Sequence, residues 1–72
     1  MDETFQLRSE YIPLCDLLKV CAITESGGEA KHLIADGEVL VDGVVELRKR
    51  RKIRAGQVVS GHDFEIHVIA GP

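Results

Sequence analysis

Hydrophobic positions along this chain change period twice. Phe5 and Leu7 alternate with Thr4, Gln6 and Arg8, a two-residue repeat that predicts a short strand. From Pro13 onward Leu14, Leu17, Leu18 and Cys21 recur at helical spacing with Asp16 and Lys19 opposite, which predicts a helix over about residues 13–22. Pro13 suits its first turn, where a missing N–H costs nothing. The next helix has a clearer start: Ser26 followed three residues later by Glu29 has the form of a capping box. Ala30, Leu33 and Ile34 then make an apolar stripe, and Gly37 can take the left-handed conformation that ends a helix. Only residues 23–25 connect the two, so they are expected to pack as a helical hairpin.

The remainder has strand character. Val39, Leu40 and Val41 lead into Asp42-Gly43, a strong hairpin-turn signal, and Val44 and Val45 follow. Val58 and Val59 predict another short strand, and Ser60-Gly61 a turn. In the last strand Phe64, Ile66 and Val68 alternate with Glu65, His67 and Ile69. Helices first and strands after give an α+β arrangement, a helical hairpin followed by a small, mainly antiparallel sheet. At 72 residues the chain is expected to form a single domain over 1–72.

One segment breaks the alternation. Arg48, Lys49, Arg50, Arg51, Lys52 and Arg54 are interrupted only by Ile53. Leu47 and Ile53 share parity with Lys49 and Arg51, so a straight strand would bury two cations beside two apolar residues, at prohibitive cost. The expectation is a protruding loop anchored at Leu47 and Ile53 with its charges in solvent.

Charge sharpens that picture. The net charge is −3, yet this segment holds six of the nine basic residues, and only three others oppose twelve acidic ones elsewhere. Screening acts over about 8 Å at physiological salt, so a phosphate would respond to the local cluster more than to distant acids. Lysine offers a mobile point charge and arginine a planar fork matched to phosphate oxygens. The run alone leaves three readings open: nucleic-acid binding, an address signal, or a solvated basic turn.

A second anion candidate is the helix start at Ser26-Gly27-Gly28-Glu29-Ala30-Lys31. Free amides there favour anions, and Gly27 and Gly28 let a phosphate approach the backbone. The Glu29 carboxylate would compete for the same amides, so a plain capped helix stays equally open. Phe5, Tyr11 and Phe64 are the only aromatics, too few for a surface that stacks splayed bases, and two of them sit where core packing explains them. Phosphates and shape on structured RNA suit such a chain better.

Other chemistry is poorly supplied. None of Ser9, Ser26 and Ser60 lies in a nucleophile motif, so no catalytic residue is assigned and the chain is expected not to be an enzyme. Cys15 and Cys21 lie six apart, about 9 Å along a helix and beyond the roughly 7 Å a disulfide tolerates, so free thiols are expected. With His32, His62 and His67 they form no close ligand pairs, so neither a metal site nor a cofactor is expected. The acidic start Met1-Asp2-Glu3 and an apolar run no longer than Val20–Ile23 give no targeting or membrane signal, so a cytoplasmic monomer is expected.

Taken together, Ser26 to Lys31, Leu33-Ile34, Gly37, Val39 to Gly43, the basic run and Gly56 resemble the RNA-binding domain named for the fourth small-subunit ribosomal protein, also called the alpha-L motif. The resemblance spans roughly residues 5–69 and is greatest to small stand-alone, ribosome-associated bacterial members. It implies binding to ribosomal or other structured RNA through the second helix and the following β-loop. Matching positions nominate Lys31, Arg48, Arg51 and Lys52, with Lys49, Arg50 and Arg54 as supporting charges and Gly27 and Gly28 as backbone phosphate contacts. Three positions depart from the family pattern. Asp42 stands where asparagine is common and Gln57 where an aspartate often follows the glycine, while Tyr11-Ile12-Pro13-Leu14 lacks the arginine usual at the first helix. The alternative is a protein-interaction module whose basic loop binds an acidic partner.

Overall fold

The computed structural model describes residues 1–72. Strand β1 (Asp2–Gln6) is followed by β2 (Ile12–Pro13), helix α1 (Leu14–Val20) and helix α2 (Gly27–Ala35). Five further strands complete the chain: β3 (Leu40–Val41), β4 (Val44–Val45), β5 (Lys52–Ile53), β6 (Val58–Ser60) and β7 (Glu65–Ile69). The main sheet runs β1-β7-β6-β3-β4, and β2 pairs with β5 in a separate two-stranded sheet. Every pairing is antiparallel except β1 with β7, which sets Phe5 opposite Val68. The architecture is therefore α+β and mainly antiparallel, as expected.

The short strand expected around Phe5 and Leu7 forms as β1, ahead of the helices. What the alternation does not show is its place in the same sheet as the last strand. Its charged start has weak strand propensity. The ladder to β7 is extended beyond β1 by Leu7 N donating to Ile69 O at 2.9 Å. That partner is almost the whole chain away, so no local pattern announces the pairing.

Both helices end in the same way. Ala22 and Gly37 adopt positive φ, 58° and 76°. Ile23 N then donates to Leu18 O and Ala22 N to Lys19 O, while Glu38 N donates to Leu33 O and Gly37 N to Ile34 O. This is the paired bonding that satisfies the last free carbonyls of a helix. Helix α1 is thus shorter than the expected 13–22. Pro13 precedes it as the N-cap, in extended conformation, because it is held in β2 opposite Lys52.

One hydrophobic cluster of 14 residues lies between the helices and the main sheet. Helix α1 contributes Leu14, Cys15, Leu17 and Leu18, α2 Ala30 and Ile34, and the sheet Val41, Val59, Ile66 and Val68. Both cysteines are free, as expected, with Cys15 buried. Phe64 is buried, whereas Tyr11 belongs neither to this cluster nor to the partly buried residues packed on it.

Candidate nucleic-acid interface

The basic segment leaves β4 through Glu46 and returns through β5. Its anchors differ from those expected: Ile53 is fully buried, but Leu47 is 59% exposed. Glu46 takes the inward position instead, with its side chain only 9% exposed. A buried carboxylate is tolerated only when fully hydrogen-bonded, and this one is. It accepts from the Arg48 backbone N–H at 2.9 Å, from Arg48 Nε at 3.1 Å and Nη2 at 3.0 Å, and from Arg51 Nη1 at 2.6 Å. The Arg48 side-chain bonds, the Arg48 amide and then Arg51 hold the Glu46 carboxyl down at about 2, against the opposing effect of burial. The same partner raises the Arg48 guanidinium above its ordinary value.

Arg48 and Arg51 are therefore not free charges on a solvated loop. They are held in place by one acid, and Arg51 is only 33% exposed. Lys49 and Arg50 have no ion-pair partner.

Backbone bonds dock this loop onto the helices. Pro13 gives α1 no side-chain cap. The first amides of α1 are satisfied instead by the loop, Leu14 N donating to Arg51 O at 2.8 Å and Cys15 N to Lys49 O at 3.0 Å. The loop's position is thereby fixed by the start of the helix it covers.

On the α2 side, Gly28, Lys31, His32 and Ala35 share an open depression of about 260 Å³ with Lys49. A second set on the same loop, Arg48, Arg50, Arg51 and Lys52, lines an open cleft of about 450 Å³. The α2 start is available to an anion. Ser26 Oγ accepts from Glu29 N at 3.1 Å, but the Glu29 carboxylate makes no return bond, so only half of the expected capping box forms. Gly27 and Gly28 lie in the first turn, where amides lack intrahelical acceptors. A side chain at Gly27 would meet nothing within 4 Å, and one at Gly28 only Ser26 Oγ at 3.9 Å.

The Arg54 guanidinium lies over the Tyr11 ring, 5.6 Å from the centroid, and Lys52 Nζ lies over the same ring at 5.0 Å. Glu46 and Tyr11 are the two residues of this surface that sequence reasoning missed. Parity had marked Leu47 as the inward residue; an isolated glutamate two positions before a basic run was the available signal.

Two departures from the family pattern explain each other. Asp42 Oδ2 accepts from Gln57 Nε2 at 3.3 Å, and its Oδ1 accepts from Val58 N at 2.9 Å. Gln57 Oε1 in turn accepts from Arg54 N at 2.8 Å. This pair ties the β3–β4 turn to the end of the basic segment.

The model of the S4 domain family matches residues 5–69. The putative RNA-binding protein YbcJ of Escherichia coli strain K12 is 52% identical over 68 residues, covering 93% of this chain and 97% of its own. The probable ribosome maturation protein RlbA of Bacillus subtilis strain 168 is 34% identical over 64 residues, covering 89% and 90%. The solution structure of E. coli YbcJ, described as revealing an alfaL motif involved in RNA-binding, superposes with a TM-score of 0.73 at 51% identity and covers 93% of this chain and 86% of that one.

Proposed function

This chain belongs to the S4 domain family and carries the alpha-L motif, and on that premise we propose that it is a stand-alone RNA-binding module that docks on structured RNA, ribosomal RNA foremost. The face is the start of α2, with Gly27, Gly28 and Lys31, together with the β4–β5 loop, with Arg48, Lys49, Arg50, Arg51, Lys52 and Arg54. The observation that carries this reading is the depression shared by Lys31 and Lys49, whose loop also carries the cleft of Arg48, Arg50, Arg51 and Lys52 on an otherwise acidic chain.

No catalytic role is assigned. Phosphates and groove shape are read by lysine, arginine and open helix amides, which is the equipment for gripping a folded backbone. On this reading the chain acts as a monomer in the cytoplasm, and the ribosome maturation relative favours ribosomal RNA as the target.

The test is a binding series with structured RNA across salt. With about four to six phosphates engaged, log affinity falls against log salt with a slope of roughly −3 to −5. The double variant Lys49→Glu/Arg50→Glu should lose binding while keeping the wild-type circular dichroism spectrum. These two residues are chosen because Arg51 also holds Glu46, so its reversal would disturb the loop itself. Undiminished binding by the double variant sinks the site. A protein-docking reading draws on exposed Val44, Val45 and Leu47 beside the loop; it expects ribosome association to survive complete RNA digestion.

A further inference from the structure

Tyr11 stands at the edge of the basic face and also lines a half-open groove on its other flank. That groove has a volume of about 320 Å³ and is mainly apolar, with Phe5 and Val20 among its walls and Arg8 and Ser9 as its polar members. Core packing does not account for the ring. Tyr11 is 37% exposed, and its backbone carbonyl accepts from Ser9 Oγ at 2.9 Å. Two cations, Lys52 and Arg54, lie over the ring instead. Val20, at the end of α1, is 61% exposed, so the groove has an apolar wall open to solvent.

These features fit one ligand chemistry together and others only in part. A bare phosphate needs the cations but gains nothing from the apolar walls. An uncharged apolar side chain fits the walls but meets a cationic rim. A nucleotide has an aromatic base for the ring and walls, a phosphate for Lys52 and Arg54, and base-edge groups for Arg8. The volume lies at the small end of the range for ligand clefts, about 300–1,000 Å³, which suits one base and not a stacked run.

We propose that this groove receives a single unpaired nucleotide of an RNA whose backbone lies on the basic loop. The base stacks on Tyr11 and enters the groove, and its phosphate is held by Lys52 and Arg54. The proposal rests on the RNA-binding reading and adds to it a preference for a bulged or looped-out base beside a paired segment.

The experiment uses two RNA hairpins that differ only in one bulged 2-aminopurine, with the wild-type chain, Tyr11→Phe and Tyr11→Ala. Wild type and Tyr11→Phe should bind the bulged hairpin about tenfold tighter than the paired one and quench its fluorescence. Tyr11→Ala should lose both the preference and the quenching, binding the two hairpins alike. The inference is overturned if Tyr11→Ala keeps the preference and quenching. It is equally overturned if wild type binds both hairpins alike, a result that preserves the RNA-binding reading and leaves the groove to an apolar peptide side chain. Failure of wild type to bind either hairpin overturns the inference and the reading beneath it.

Discussion

Glu46 converts a run of cations into a defined surface. Its carboxylate fixes the fork of Arg48 and draws Arg51 inward, so two guanidinium groups are already oriented when an anion arrives. Charge-assisted bonds of this kind are roughly twice as strong as neutral ones, and a buried acid without them would be costly. The folded carboxyl sits below its ordinary value of 4.5, at about 2. The stability it contributes is therefore complete above pH 4.5 and is lost as pH falls toward 2. The Arg48 amide, which donates to Glu46, reports on this directly. Its nitrogen–proton cross-peak should titrate with a midpoint near 2; a midpoint near 4.5 would show that the carboxylate is not held. Replacing Glu46 with Gln removes a negative charge from a basic surface, which by charge counting alone should tighten RNA binding. The geometry gives the opposite sign, because the amide offers one acceptor oxygen and turns two donors toward the arginines. An affinity for structured RNA weakened about threefold to tenfold is expected, in the range of one ordinary hydrogen bond lost. Tighter binding would mean that Glu46 merely competes with phosphate.

Element by element, the parts with strong local chemistry were legible and those fixed by distant partners were not. Helix α2 has Ser26 at its start and Gly37 after its end, and the structure places both in those roles. The Asp42-Gly43 hairpin also forms, with positive φ of 51° and 84° at its two central residues, as the turn type demands. Helix α1 departs from its sequence pattern at both ends. Pro13 is drawn into β2, and the left-handed terminator is Ala22, a residue that carries no such signal. A non-glycine residue in that conformation costs about 1–2 kcal/mol. Ala22→Gly should recover part of this, raising unfolding stability by about 0.5–1 kcal/mol in a urea titration. No change, or destabilisation, would contradict the left-handed cap. The loop's amphipathic parity failed for a related reason. Parity assigns inward positions by hydrophobicity, and here the inward position is filled by a charged residue whose partners supply what burial takes away.

Across the whole molecule, one cationic face sits on an acidic body, and the fold sets that face where α1, α2 and the β4–β5 loop converge. The charge count was readable from sequence; the convergence was not, since it depends on loop carbonyls capping α1 and on Lys49 reaching the depression beside Lys31. Such an arrangement binds in one orientation and resists indiscriminate coating of polyanions. Titrating isotope-labelled protein with a structured ribosomal RNA fragment, and mapping the backbone amide shifts, tests most directly whether this face grips RNA. The largest changes are expected at Gly27, Gly28, Lys31 and Lys49 to Lys52, with Asp2 to Thr4 at the start of β1 little affected. Changes centred on β1 and β7, with the α2 start and basic loop unmoved, would contradict it.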